Sequence, residues 1–449
     1  KKLVIEFKDE LDALGVKVDQ LDKRVAVIEN RLGGWKLSGV LWQTFDYVNT
    51  GTGHEFATGD NPAQQSESFG RGSVSRARIY FDRWFGEDES IHFFARLNGG
   101  HSGASTTAST NFDRFWATTP AWFGTTLRVG RFWGGFIEQP YYLDSGPLEM
   151  LNFYSVINTR RLDMIALSKA FGLGEVTAYL ARPTFSKFTA PLGAEGEVET
   201  FSDNVANAWE LALMGKFQLN EQFGLDLGVN AILGDDGTTN TGAGKLDTAN
   251  YKLDNIWTVY GGLRFEFTPS IGLRGMYYYQ SPSGKYTDNS VTGPWNDSNL
   301  DSASAYTGII DVKQDLLKFT SLWLQYQKFE KGFTLLTGLS DVVEGGITDW
   351  GASELSDIQF LANDWTIIRA IAQQQWNNKW KTYEFYSQHK LSDVDANGDG
   401  TVNSWGLGVE YRLNPSVVTG LGYYNYSYAD AYDGRDSDSV IRWRTAVAF

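Results

Sequence analysis

The chain has 449 residues, no cysteine and a formal net charge of −15. That excludes disulfides, thiolate catalysis and cysteine-bound zinc, and it leaves no dominant basic surface for nucleic acid. With 28 Phe, 22 Tyr, 16 Trp, 48 Gly and only 10 Pro, and no run of about 18–20 apolar residues, a spanning helix is ruled out while a transmembrane β-barrel is not.

Residues 1–32 carry a heptad pattern. Val4, Leu11, Val18, Val25 and Leu32 occupy the a positions, and Phe7, Leu14, Leu21 and Ile28 the d positions. Lys17 can meet Asp22, and Arg24 can meet Glu29, as g-to-e pairs of parallel helices in register. The pattern predicts an α-helical coiled-coil stalk over 1–32, with Gly15 as its weak point. The heptads alone do not choose between two and three strands. Gly33-Gly34 ends the helix. No signal peptide is visible, so a processed or truncated amino terminus is expected.

From residue 34 the period changes to two. Alternating segments fall near 35–42, 75–82, 91–98, 111–118, 122–132, 160–170, 173–182, 205–219, 222–233, 253–267 and 271–280. Others follow near 316–329, 333–340, 364–376, 379–390, 403–413, 417–428 and 439–449. Short turns, such as Asn220–Glu221, Glu330–Gly332 and Asn377–Asn378, alternate with long polar stretches at 49–73, 133–159, 183–204, 234–252, 281–303 and 341–363. Short periplasmic turns and long outer loops are the asymmetry of an outer-membrane barrel. The prediction is therefore all-β: a transmembrane antiparallel β-barrel over 34–449 with about 18 strands, or 16 if 111–118 and 333–340 are not strands. An even strand count puts both ends on the turn side, so the stalk at 1–32 is expected in the periplasm.

The final strand shows the wall chemistry. Ile441, Trp443, Thr445, Val447 and Phe449 alternate with Val440, Arg442, Arg444, Ala446 and Ala448. Lipid, including lipopolysaccharide, is expected against the first set and water against the second. On the polar faces of predicted strands 2 to 5, Arg76, Arg78, Arg96, Arg114 and Arg128 form a basic wall, with Arg131 and Arg161 as its expected extension. The stretch 133–159 after the fifth strand is expected to fold into the channel, bringing Glu138, Asp144 and Glu149 towards those arginines. Charged walls of this kind set ion selectivity.

Asp393, Asp395, Asn397 and Asp399 match the first half of a calcium loop, but position 12 is Ser404 and no helices flank it. Weak calcium binding is an alternative there to a plain polar hairpin. No other cofactor is expected. His54, His92, His101 and His389 lack metal-ligand spacing, and no catalytic motif is present, so an enzyme is not expected.

A coiled coil at Val4–Leu32, the Gly33-Gly34 junction and a final strand ending in Phe449 together resemble the OmpM-type porins. The resemblance implies a homotrimer, held by coiled coil and barrel, that passes small hydrophilic solutes and ions and tethers the outer membrane to the cell wall. It also implies an S-layer-homology domain that binds a peptidoglycan-linked polymer. That domain is absent from this chain and was removed or lies upstream. The alternatives are a substrate-specific, sugar-type channel lined by aromatics such as Tyr277, Tyr279 and Tyr423, and a mainly structural tether.

Overall fold

A computed structural model describes residues 34–50, 67–69, 74–86, 89–102, 109–135, 142–144, 148, 152–154, 159–182, 188–191, 198–201, 209–233, 251–286, 298–299, 302–331, 333, 364–392, 400–428 and 437–449. The predicted stalk at 1–32 lies outside the described residues. The wall runs through β1 (Lys36–Thr50), β2 (Val74–Phe85), β3 (Ile91–Ser102), β4 (Ser109–Pro120), β5 (Thr126–Gly135) and β6 (Thr159–Phe171). It continues with β7 (Gly174–Arg182), β8 (Trp209–Gln218), β9 (Phe223–Leu233), β10 (Tyr251–Thr268), β11 (Ile271–Tyr286) and β12 (Ala303–Val312). It ends with β13 (Ser321–Phe329), β14 (Trp365–Gln375), β15 (Trp380–Leu391), β16 (Gly400–Asn414), β17 (Val417–Tyr428) and β18 (Ser437–Ala448). All neighbours pair antiparallel in chain order, and β18 pairs back onto β1. Of the 20 strands in the sheet, 67–69 and 298–299 are short additions, leaving 18 in a closed wall. No described helix is long and apolar enough to cross a membrane.

Closure answers the solvent problem. An unpaired backbone N–H or C=O in hydrocarbon costs several kcal/mol, so a spanning sheet cannot keep an edge. The last seam is zipped by a reciprocal pair: the Gly39 N–H donates to the Phe449 carbonyl at 2.8 Å and the Phe449 N–H returns to the Gly39 carbonyl at 3.0 Å. The Phe449 ring lies where a side chain at Gly39 would stand, 2.3 Å from a built Cβ.

Period-two patterning sorts the two faces. Outward stand exposed apolar residues on nearly every strand, among them Leu41, Leu213, Leu227, Val259, Ile310, Leu324, Leu407 and Ile441. Aromatics ring both ends: Phe123, Phe171, Trp376 and Phe449 beside the short turns, and Trp209, Trp257, Tyr306, Tyr326, Trp405 and Trp443 towards the long connections. Inward stand the buried residues, including a cluster of Phe132, Leu162, Met164, Ala166, Tyr179, Ala181 and Ala212 on β5–β8.

One stretch of the predicted strand order is corrected. Residues 281–303 do not lead into a strand at 316–329. β12 at Ala303–Val312 intervenes, and a turn with the short helix α1 (Gln314–Leu317) joins it to β13. The predicted turn Glu330–Gly332 therefore opens a long connection, and β13 pairs directly with β14; of the predicted strand 333–340, all but Phe333 lies outside the described residues. β12 escapes pattern reading because its inward face (Ala303, Ala305, Thr307, Ile309) is nearly as apolar as its outward face.

Candidate pore

Each predicted wall arginine sits where strand parity puts it. Arg76 and Arg78 on β2 pair in register with inward Trp42 and Val40 of β1. Arg78 lies 4.7 Å from the Trp42 ring centre and donates to Asn98 at 3.3 Å. Arg96 and Arg114 face each other across β3 and β4. A bulge there turns Asp113 inward as well, and Asp113 takes a bidentate, buried ion pair from Arg96. Arg128 reaches inward over the rings of Trp116 and Phe132. The structure thus brings Arg76, Arg78, Arg96, Arg114 and Arg128 onto one inner arc of β2–β5.

Arg131 does not extend that arc. It is three residues from Arg128, so it occupies the opposite face, where it meets Asp163 at 3.1 Å on the outside of the wall. Nothing is described of the Arg161 side chain. Tyr277 and Tyr279, candidates for an aromatic track, stand outward and exposed, and Tyr423 pairs with outward Ile441 and Leu407. The inward tyrosines are their neighbours Tyr278 and Tyr424.

The arc continues past the closing seam on residues that single-strand reading did not join. Arg442 on β18 donates twice to Asp46 of β1, at 2.8 Å each, and both are almost fully buried. Arg444 donates to Thr44 at 2.9 Å and to the Leu148 carbonyl at 2.6 Å. Leu148 belongs to the connection between β5 and β6, at the tip of a small hairpin (142–144 with 152–154). It is fully buried and lies against Gly420 of β17. Leu148 thus sits on the inner side of the β17–β18 wall, away from the strands its connection joins. The side chains of Glu138, Asp144 and Glu149 lie outside the described residues, as do Asp393, Asp395, Asn397 and Asp399. No cluster of three or more potential metal ligands occurs among the described residues.

The facing wall differs in character. On β7–β9, Tyr179, Glu210 and Asn230 share three hydrogen bonds of 2.7–3.0 Å. On β9–β12, Arg264 pairs with Asp226 at 3.2 Å, and Arg274 pairs with Asp311 at 2.9 Å and Glu266 at 3.4 Å. These acids and bases come from different strands, so only the register reveals the pairs. On β13–β15 the inner face is packed around one buried arginine. Gln325, Gln327 and Ser387 are buried, and Arg369 donates to Ser387 and Gln325. Phe329, Trp365 and His389 stack in sequence beside Phe333.

Among the described residues the interior is packed on that side and holds a cavity on the other. A cavity of about 240 Å³ lies against β5–β10 and is lined by Arg128, Met164, Thr177, Lys216, Asp226 and Tyr260 among others. Arg128 and Lys216 have no ion-pair partner among the described residues. The cavity presents two cationic groups, acids from Glu175 and Asp226, and an apolar floor. It has room for a small polar solute.

The chain matches no protein-family model and no curated protein sequence. Its fold is that of bacterial channels. It is similar to Pseudomonas aeruginosa OccK8 (OprE) at 12% identity and a TM-score of 0.52, covering 92% of this chain and 98% of that one. It is similar to Acinetobacter baumannii OccAB4 at 12% identity and a TM-score of 0.51, again covering 92% and 98%. Pseudomonas aeruginosa OccD3 (OpdP) gives 10% identity and a TM-score of 0.51, covering 93% and 91%. At such identity the likeness is one of fold: the chain is a closed antiparallel barrel of 18 strands with the architecture of these channels.

Proposed function

We propose that the protein is an outer-membrane porin through which small hydrophilic solutes and ions diffuse passively, along the side of the lumen walled by β5–β10. The carrying observation is a closed wall that is apolar outside and charged inside, with a cavity between Arg128 and Lys216. The β5–β6 connection acts as the constriction, since its Leu148 carbonyl accepts from Arg444 on β18. The test is reconstitution in a planar bilayer. The wild type gives stable ohmic steps. Replacing Arg128 and Lys216 with glutamine keeps the conductance but shifts the reversal potential in a salt gradient towards cations, because fixed positive charge is lost. Arg96 is left out of this set, as its removal would strand buried Asp113. Absence of conductance overturns the reading, and block by one sugar at low concentration favours a specific channel instead.

The periplasmic stalk, homotrimer and wall-tethering role draw on the heptads of 1–32 and the OmpM resemblance. Sedimentation of the full chain with purified sacculi checks the tether. A weak calcium site at Asp393, Asp395, Asn397 and Asp399 draws on residue spacing alone, and calcium titration of the intact protein checks it.

A further inference from the structure

The long side chains on the inner face of β10 lie back along the wall. Tyr260 and Arg264 fold onto β9, and Glu266 folds onto β11. Each meets a glycine that is its own partner in register: Gly228 for Tyr260 and Gly224 for Arg264 on β9, and Gly272 for Glu266 on β11. The approach is closer than any larger residue would allow. A Cβ at Gly228 would collide with the phenol of Tyr260. One at Gly224 would stand 2.8 Å from the Arg264 guanidinium carbon, and one at Gly272 would stand 2.8 Å from a Glu266 carboxylate oxygen.

Backbone conformation does not account for these three glycines. Among the described residues the glycines with positive φ are Gly34, Gly86, Gly124 and Gly130. A glycine inside a strand weakens it, and its use there marks a close approach. All three stand on the lumen face, in step with Asp226 and Arg274. An outward glycine carries no such contact: a Cβ at Gly308 on β12 would meet nothing within 4 Å. Tyr260 borders the cavity of about 240 Å³ against β5–β10, and so does Asp226, which the flat Arg264 reaches at 3.2 Å. At another edge of that cavity the Met164 methyl lies on Gly134 in the same manner. With the wall behind it and Tyr278 beside it at 6.0 Å, a ring lifted off Gly228 has the cavity to enter.

We infer that the inward glycines beside β10 set the bore of the channel, and that the Gly228–Tyr260 pair sets the size of solute admitted. Each glycine is a recess that takes one long side chain flat against the wall. Polar groups then stay at the lumen surface without closing it. This assignment rests on the porin reading above. It makes Gly228 and Gly224 positioning residues, acting through Tyr260 and Arg264.

The test is swelling of liposomes that hold the full-length protein, in a series of glycerol, arabinose, glucose and sucrose. Heat-modifiable mobility shows that each variant is folded. In Gly228→Ala, the largest solute that the wild type admits should enter at least threefold more slowly, while Gly308→Ala matches wild type. The double variant Gly228→Ala, Tyr260→Ala should restore that rate, because the lifted ring is gone. Hydroxyl-radical labelling of Tyr260, read by peptide mass, should rise at least threefold in Gly228→Ala, since the ring is 3% exposed in the wild type. In Gly224→Ala the Arg264 guanidinium moves into the lumen, and the reversal potential in a salt gradient should shift towards anions. That arm carries the test if Gly228→Ala does not reach the folded mobility. Unchanged sieving and labelling in a folded Gly228→Ala overturn the inference, and so does a slow rate that the double variant does not restore. An unchanged reversal potential in Gly224→Ala overturns it too. A wild type that admits no solute fails the porin reading and the bore with it, whereas unchanged variants of a conducting wild type overturn the glycine assignment alone.

Discussion

Asp46 and Arg442 are 396 positions apart in the chain and share two hydrogen bonds inside the wall. Neither could be buried alone, since an unpaired charge in such a site is strongly disfavoured. Asp46→Ala is expected to lower barrel stability by about 3–5 kcal/mol, because it leaves the Arg442 guanidinium buried without its partner. Replacing both residues by apolar ones of similar volume is expected to recover most of that loss. Thermal unfolding followed by the mobility of folded and unfolded species checks both, and equal stability of Asp46→Ala and wild type would contradict the argument. The same reasoning separates the arginines by role. Arg96 and Arg442 are tied to buried acids and hold the wall together. Arg128 makes no ion pair among the described residues and is the better handle on selectivity.

The strand ends carry a second kind of order. Asp364, just ahead of β14, fastens three strands at their outer ends. It accepts the Lys331 N–H at 2.9 Å and meets the Lys328 ammonium at 3.1 Å, and its carbonyl accepts the Ser392 N–H at 2.9 Å. Burial pushes its carboxyl up, but the Lys331 N–H and the Lys328 charge outweigh that and hold it below the ordinary carboxylate range. A depressed carboxyl adds stability that is complete above the unfolded value and lost as pH falls through the folded one. Asp364→Asn should therefore cost less than about 1 kcal/mol at neutral pH, the pair being about a third exposed to solvent. The gap from wild type should close as pH drops below the ordinary carboxylate range. Unfolding series at neutral and acid pH check this, and a gap that widens in acid would refute it. At the opposite rim, Ser270 donates to Asp315 of α1 at 2.6 Å and holds that carboxyl below its usual range in the same sense.

At the scale of the molecule, two features of the barrel were legible in the chain before any pairing was known. Alternation separated the lipid face from the water face on β18, where Ile441, Trp443 and Val447 stand outward and Arg442 is buried within. The rhythm of short turns and long connections announced a closed barrel of about 18 strands. Both are local: side chains alternate across a strand whatever its neighbours do. The same locality explains the miss at β12, whose two faces differ too little for alternation to show. It explains Arg131 as well, since counting three residues on from Arg128 along the strand already puts it outside. What the sequence could not determine was register. Which acid meets which arginine, where the bulge at Asp113 turns two residues inward, and how Leu148 reaches β18 all depend on strands brought together from distant parts of the chain. Wall and faces follow from the period of the residues. The cavity against β5–β10, and the ion pairs that cross from strand to strand, exist only once 18 strands have closed into a ring.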